Sequence, residues 1–398
     1  MLKDFSLSAA FVGILAAFVG YASTFALILT GLQAAGATAD QAATGLMAVT
    51  LAMGVCGIIS SLVARLPIGV AWSTPAAALL AGLAVHPSGG FSDVVGAFIV
   101  AGLLITASGL WRPLGRAVAN IPAHLANAMI AGILFQLAVA PFEALGQSAV
   151  AVLPMILTWV VVSLVARTWA MPAALLAFVV TLILLGPQSP STTLEITRLL
   201  PPLDFVLPTF DLAISFGLGV PLFVVTMAGQ NIPGVAVMKA SGYEINPSPW
   251  FTLTGISSIL AAFWGGIAVN LAAITAAMMA GEQSHRDPKR RYWAGAMAGG
   301  AYVVFALLTS AVVALIGLAP LYMVKALAGL ALIPAFMMAM SRAASQADNL
   351  DSAAITFIAS ASGVSLFGVS GAFWGLVLGF GVYIARQALA RRAPSALE

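Results

Sequence analysis

The sequence predicts an all-α polytopic membrane protein made of two inverted seven-segment repeats, and three observations carry that reading. Of 398 residues, 61% are hydrophobic and 7% charged, where soluble domains carry about 25% charged. Apolar runs of roughly bilayer-crossing length succeed one another along the whole chain. Two stretches of the first half match the second half at one and the same offset.

A helical span needs about 20 residues at a rise of about 1.5 Å each. Runs bounded by charge, Pro or Gly mark seven segments in the first half: 8–34, 40–64, 67–85, 92–110, 121–140, 148–166 and 171–186. Seven more follow a polar stretch: 209–230, 247–264, 266–281, 291–316, 320–340, 350–362 and 367–389. Lys3 and Asp4 precede a first run too long for a signal-peptide core, so no cleavable signal peptide is expected.

Basic residues orient the segments, because Lys and Arg collect in cytoplasmic loops. With the N-terminus inside, Lys3, Arg65, Arg112, Arg116, Arg167, Lys239, Arg286, Lys289, Arg290, Arg291, Arg342, Arg386, Arg391 and Arg392 all fall inside. Only Arg198 and Lys325 fall outside, a split of 14 to 2 that a miscounted segment would scramble. Both termini are therefore expected in the cytoplasm. The outer connection 187–208 carries Glu195, Asp204 and several prolines, and divides the chain near its middle.

The internal match lies at an offset of 197. Gly57-Ile58-Ile59-Ser60-Ser61-Leu62-Val63-Ala64 overlies Thr254-Gly255-Ile256-Ser257-Ser258-Ile259-Leu260-Ala261, and Ile130-Ala131-Gly132-Ile133 overlies Leu327-Ala328-Gly329-Leu330. Without a gap, Gly69 meets Gly266, Ala71 meets Ala268 and Ser73 meets Asn270. Seven spans per half is odd, so the halves must be inverted, a device of secondary transporters with mid-membrane sites at broken helices.

Spans 3 and 10 are the expected breaks. Leu66 to Ala71 reads as an extended Gly and β-branched piece, ending at Trp72-Ser73-Thr74-Pro75, an N-cap with Pro in the first helical turn. Trp264 to Val269 reads the same way, with Asn270 as the matching N-cap. A half-helix that starts inside the membrane presents free N–H groups and a partial positive charge, and so accepts anions without Lys or Arg. Gln230 and Asn231, adjacent amides in an apolar span, are costly unless paired and read as ligand contacts. Tyr21, Phe25, Trp72 and Phe263 are candidates for an aromatic wall, and Leu271 flanks Asn270.

Other chemistry is thin. One cysteine, Cys56, excludes a disulfide framework and a multi-Cys metal site. No P-loop and no span-borne His/Asp/Glu cluster occurs, so neither an enzyme, a metal, a cofactor nor a nucleic-acid partner is expected. The stretch from Glu282 to Asp287 reads as a solvated loop. Asp40, Asp93, Glu143, Asp211, Asp348 and Asp351 all sit near span ends, and His124 is the one histidine in a span, hence the candidate for proton coupling.

The strings Trp72-Ser73-Thr74-Pro75-Ala76, Met227 to Gly234 with Lys239 to Tyr243, and Asn270 to Ala277 resemble the BenE-type benzoate:proton symporters, and the likeness covers nearly the whole chain. The resemblance implies uptake of benzoate driven by protons across the bacterial inner membrane. It also implies the seven-plus-seven fold shared with nucleobase permeases and with sulfate and bicarbonate transporters. Spans 1–4 (1–110) and 8–11 (209–317) would form a core domain. Spans 5–7 (111–208) and 12–14 (318–398) would form a gate domain, which in that fold often makes a homodimer. The core would carry substrate past the gate, an elevator form of alternating access.

Nucleobase permeases hold the base with Glu residues on spans eight and ten. Here Gln230 stands near the first position and no acid lies between Asn270 and Ile274, which argues for an aromatic carboxylate in place of a nucleobase. The expected contacts are Ser73, Thr74 and Asn270 for the carboxylate, Gln230 and Asn231 to complete the polar end, and aromatic or aliphatic side chains for the ring. A proton carried on benzoate itself would need no protein carboxylate, although the neutral acid is scarce at pH 7. A passive anion channel, or transport of another small monocarboxylate or a neutral aromatic, are the competing readings.

Overall fold

A computed structural model describes residues 4–83, 89–111, 113–114, 121–185, 201, 203–366 and 369–392. Most of the outer connection, with Glu195 and Arg198, lies outside the described residues, as do Lys3, Arg112 and Arg116. The first half contains α1 (Leu7–Ala34), α2 (Ala39–Ala64), β1 (Val70–Trp72), α3 (Thr74–Ala81) and α4 (Phe91–Leu110). It continues with α5 (Ala123–Ala138), α6 (Ala140–Gln147), α7 (Ala149–Val165) and α8 (Ala170–Leu185). The second half begins with α9 (Leu212–Gly217), α10 (Gly219–Thr226), a π turn (Met227–Asn231), α11 (Ile232–Ala240) and α12 (Ser248–Ala262). Then come β2 (Val269–Leu271), α13 (Ile274–Ala280), α14 (Tyr292–Leu307), α15 (Thr309–Gly317), α16 (Leu321–Ala343) and α17 (Leu350–Ala361). The short hairpin β3 (Ser365–Leu366) and β4 (Val369–Ser370) leads into α18 (Gly371–Arg392).

Eight helical stretches among the described residues are long and apolar enough to cross a membrane, or up to nine if α14 and α15, which meet at a 57° bend, form one span. The protein is thus a mostly helical, multi-pass membrane protein. Large side chains such as Leu164, Val165, Ile183 and Leu184 on α7 and α8 are exposed, as lipid-facing helices require. One predicted boundary moves. The eighth span does not stop at residue 230 but runs from Leu212 to Ala240. The π turn carries the helix past Gln230 and Asn231, and Pro233 lies in the first turn of α11, where its missing N–H costs little.

The duplication is visible in helix packing. The second helix of the first half, α2, packs on α14 of the second; α12, its counterpart by the 197 offset, packs on α4. Gly102 of α4 and Gly299 of α14 are separated by that same offset and do the same work. A Cβ on Gly102 would stand 2.7 Å from Ile259 Cγ1 and 3.2 Å from the Gly255 carbonyl; one on Gly299 would stand 2.6 Å from the Gly54 carbonyl and 2.8 Å from Ile58 N. Without a hydrophobic drive between helices in lipid, such small-residue contacts let backbones approach closely enough to pack.

Between these helices each half contributes a strand and a short helix. β1 pairs antiparallel with β2 in the register Val70↔Leu271, Ala71↔Asn270 and Trp72↔Val269. The duplicated serines hold the strands: Ser61 Oγ donates to the Ile68 carbonyl at 3.1 Å, and Ser258 Oγ accepts from Val269 N at 2.8 Å. Unpaired backbone at this depth would be costly, and the β1–β2 pair together with the serines satisfies it.

Candidate substrate site at the strand crossing

β1 and β2 meet antiparallel at the crossing, and every candidate residue except His124 and Phe263 gathers there. Ser73 is the N-cap of α3, as its sequence predicts. Its Oγ accepts from Ala76 N at 3.3 Å and lies 2.7 Å from Thr226 Oγ1 of α10. Asn270 is not the matching cap. It lies inside β2, while α13 starts after Ala273, which makes no side-chain cap. The Asn270 side chain crosses to the other half instead, its Nδ2 donating to the Ala71 carbonyl at 3.1 Å and to the Trp72 carbonyl at 3.3 Å. Cross-strand carbonyls compete successfully with local capping here because the paired strand holds Asn270 in extended backbone.

The π turn braces both halves. Asn231 is fully buried; its Oδ1 accepts Leu271 N at 2.8 Å and its Nδ2 lies 3.1 Å from Met227 Sδ. Gly229 and Gly234 let the turn sit close: a Cβ on either would stand 2.9 Å from Pro75 Cγ or Leu271 Cβ, respectively. Extra-residue π turns in helices recur at functional sites. Thr74 and Gln230, by contrast, are half-buried, and their side chains make no hydrogen bond among the described residues.

Beside the strands is an aromatic cluster. Tyr21 stacks on Phe25 at 5.5 Å, and its ring centre lies 5.3 Å from that of Trp72 and 5.0 Å from that of Phe305. Trp72 Nε1 donates to Thr24 Oγ1 at 2.8 Å, which fixes the indole against α1. Phe263 is elsewhere, stacked on Phe205 at 5.6 Å. The sequence reading missed Thr24, Thr226 and Phe305. Thr24 was accessible in principle, because it lies one helical turn from Tyr21. Thr226 and Phe305 join only through tertiary packing.

Two buried polar atoms at or near the crossing, Asn270 Oδ1 and Thr275 Oγ1, lack partners among the described residues. β1, α3, the π turn, β2 and α13 carry no Lys, Arg, Asp or Glu. The arrangement thus offers dipoles, amides and hydroxyls beside an aromatic face, with no fixed charge.

His124 lies apart, near the start of α5. Its Nε2 is 3.3 Å from Ser352 Oγ on α17, its ring centre is 5.2 Å from that of Tyr383 on α18, and its buried Nδ1 has no partner among the described residues. The Glu282–Asp287 loop is largely exposed, with Ser284 buried. Buried Arg291 reaches back to donate to the Ala280 carbonyl at 2.7 Å, the His285 carbonyl at 2.7 Å and the Arg286 carbonyl at 3.5 Å, closing the C-terminal end of α13. Tyr243 donates to the Pro288 carbonyl at 3.3 Å in the same region; burial pushes its phenol above the usual range, and the neighbouring Arg291 cation opposes that. A cleft of about 790 Å³ lined by Lys239, Tyr243 and Glu244 opens past the end of α11, and none of the crossing residues lines it. No group of three or more metal-binding side chains occurs among the described residues.

Comparison with known proteins agrees with this architecture. The chain is 36% identical over 384 residues to the inner membrane protein YdcO of Escherichia coli (strain K12), covering 96% of each. It is 32% identical over 381 residues to the benzoate membrane transport protein of Acinetobacter baylyi, covering 96% of this chain and 95% of that one. In fold it is similar to the transmembrane domain of the cyanobacterial bicarbonate transporter BicA, with TM-score 0.62, 18% identity and coverage of 94% and 97%. It is also similar to murine Slc26a9, an anion transporter in the inward-facing state, with TM-score 0.64, 12% identity and coverage of 97% and 69%. Residues 3–385 match the family described as BenE, benzoate membrane transport protein, and the chain belongs to that family of membrane transporters.

Proposed function

We propose that this protein is a secondary transporter that imports an aromatic carboxylate, benzoate first, together with protons. The setting would be a bacterial inner membrane with both termini in the cytoplasm, which the 14-to-2 distribution of basic residues favours. The observation that carries the reading is the crossing itself. An aromatic face built by Tyr21, Phe25 and Trp72 adjoins a polar, uncharged end built by Thr74, Gln230 and Asn270. That pairing suits a planar ring with one carboxyl group. The name of the Acinetobacter relative points to the same substrate.

In this reading residues 1–110 and 209–317 form a core that moves against a gate of 111–208 and 318–398. Packing supports the division: α2 with α14 and α4 with α12 form one group, and α5 with α16 and α17 form another. The two groups touch near the crossing, where α3 and the π turn meet α5. Alternating access would carry the crossing past that contact.

Counterflow in proteoliposomes tests this. Vesicles loaded with unlabelled benzoate and diluted into labelled benzoate should transiently accumulate label. Benzoate-dependent conductance without accumulation would favour the passive channel. Accumulation driven by another monocarboxylate and not by benzoate would move the substrate assignment.

A further inference from the structure

We infer that the carboxyl group enters the crossing in its protonated form, donating its O–H to Asn270 Oδ1, so that the coupled proton travels on the substrate. This rests on the functional reading above. The argument is an inventory of donors and acceptors. An anion site at helix starts requires free N–H groups, and at α3 they are largely used. Pro75 has none, Ala76 N is taken by Ser73 Oγ, and Ala77 N by the Ser73 carbonyl, which leaves Thr74 in the first turn of α3. On the other strand Val269 N goes to Ser258 Oγ, Leu271 N to Asn231 Oδ1 and Ala272 N to the Gly69 carbonyl, while Thr275 N and Ala276 N in the uncapped first turn of α13 stay free among the described residues.

Beside these donors remains a buried acceptor. Asn270 is 0% exposed and its Oδ1 has no partner among the described residues. Its amide orientation follows from the network, because turning it over would set the oxygen against the Ala71 and Trp72 carbonyls that Nδ2 now serves. A carboxylate has only acceptors to offer this oxygen. A carboxylic acid has one O–H donor for it and one carbonyl oxygen for donors such as the Gln230 amide or the Thr275 hydroxyl.

The neutral form has a cost of its own. With a carboxyl pKa near 4, about one molecule in a thousand is protonated at pH 7, a cost of about 4 kcal/mol. An ionised carboxylate would instead set a charge beside an unpaired amide oxygen, with no Lys or Arg on the strands or half-helices to offset it. The proton balance is simple: one proton binds the carboxylate outside, crosses on the carboxyl oxygen, and leaves inside.

Three ligands test the inference on the purified full-length protein at pH 6, 7 and 8: benzoate, benzamide, which is uncharged and keeps an N–H donor, and benzenesulfonate, which stays anionic. The expected result is benzoate affinity falling about tenfold per pH unit, benzamide competing with constant affinity, and benzenesulfonate not competing. Benzoate affinity that is flat with pH, or benzenesulfonate competing where benzamide does not, would overturn the inference and leave the benzoate reading standing. Failure of all three to bind would overturn both.

Discussion

Asn231 Oδ1 accepts the backbone N–H of Leu271 at 2.8 Å, 40 residues away, and so ties the π turn of one span to the strand inside another. Both groups are buried in a region without fixed charge. Replacing Asn231 with Leu leaves the Leu271 N–H unpaired, and a buried unpaired donor costs about 1–3 kcal/mol. The expected outcome is a lower thermal midpoint in detergent together with weakened benzoate binding. Asn231→Asp keeps an acceptor and should recover part of the loss. A midpoint unchanged in Asn231→Leu would mean that the strut does not matter.

The pseudo-equivalent glycines make a sharper stability test. A methyl on Gly299 meets backbone atoms of Gly54 and Ile58, which cannot swing away as a side-chain tip would. Gly299→Ala should therefore separate α2 from α14 and cost about 1–3 kcal/mol, the usual range for overpacking. Its neighbour is the control. A Cβ on Gly300 has nothing within 4 Å, so Gly300→Ala should be neutral or stabilising by up to about 1 kcal/mol through helix propensity. Thermal melts of the two variants side by side check this; equal shifts would count against close packing as the role of Gly299.

How much of this was legible in the sequence depends on whether the partner is local. Ser73 was readable as a cap because its bond to Ala76 N spans three residues. The 197 offset exposed the duplicated serines and, with them, the strand-plus-half-helix pattern. Asn270 was misread because Ser73 lies at its repeat position and Asn is an ordinary cap, while the carbonyls it serves lie almost 200 residues away (198 and 199 in sequence). Helical periodicity carries no mark of a π turn, so the eighth span was cut at Gln230. Arg291 looked like one more loop charge, because backbone carbonyls, its partners, leave no trace in side-chain patterns.

Arg291 gives the next prediction. Its guanidinium serves three carbonyls at the end of α13 and in the following loop. Arg291→Met leaves those acceptors unserved and removes a cation from a helix C-terminus, so a loss of at least about 1–3 kcal/mol is expected. Because α13 continues from the strand that carries Asn270, benzoate binding should weaken with it. Arg291→Lys keeps the charge but not the planar fork and should fall between the two. Midpoint and affinity measured on the same preparations decide it: a Met variant as stable as the parent would show that the loop and the end of α13 need no such brace.

Gln230 separates ligand contact from scaffolding most cleanly, because it sits beside Asn231 and has the opposite environment. Asn231 is fully buried and bonded at both ends of its amide, whereas Gln230 is half-buried and its amide makes no bond within the described residues. Gln230→Leu therefore removes no internal hydrogen bond, and the thermal midpoint of the ligand-free protein should stay within about 0.5 kcal/mol of the parent, as for a substitution away from structural features. If Gln230 meets the carboxyl group, benzoate affinity should fall by about tenfold, the value of one hydrogen bond of about 1–1.5 kcal/mol. The stabilisation that saturating benzoate confers on the parent should shrink accordingly. Full affinity in Gln230→Leu would move the polar end of the site to Thr74 and Asn270, and a loss of stability without ligand would make Gln230 part of the scaffold after all.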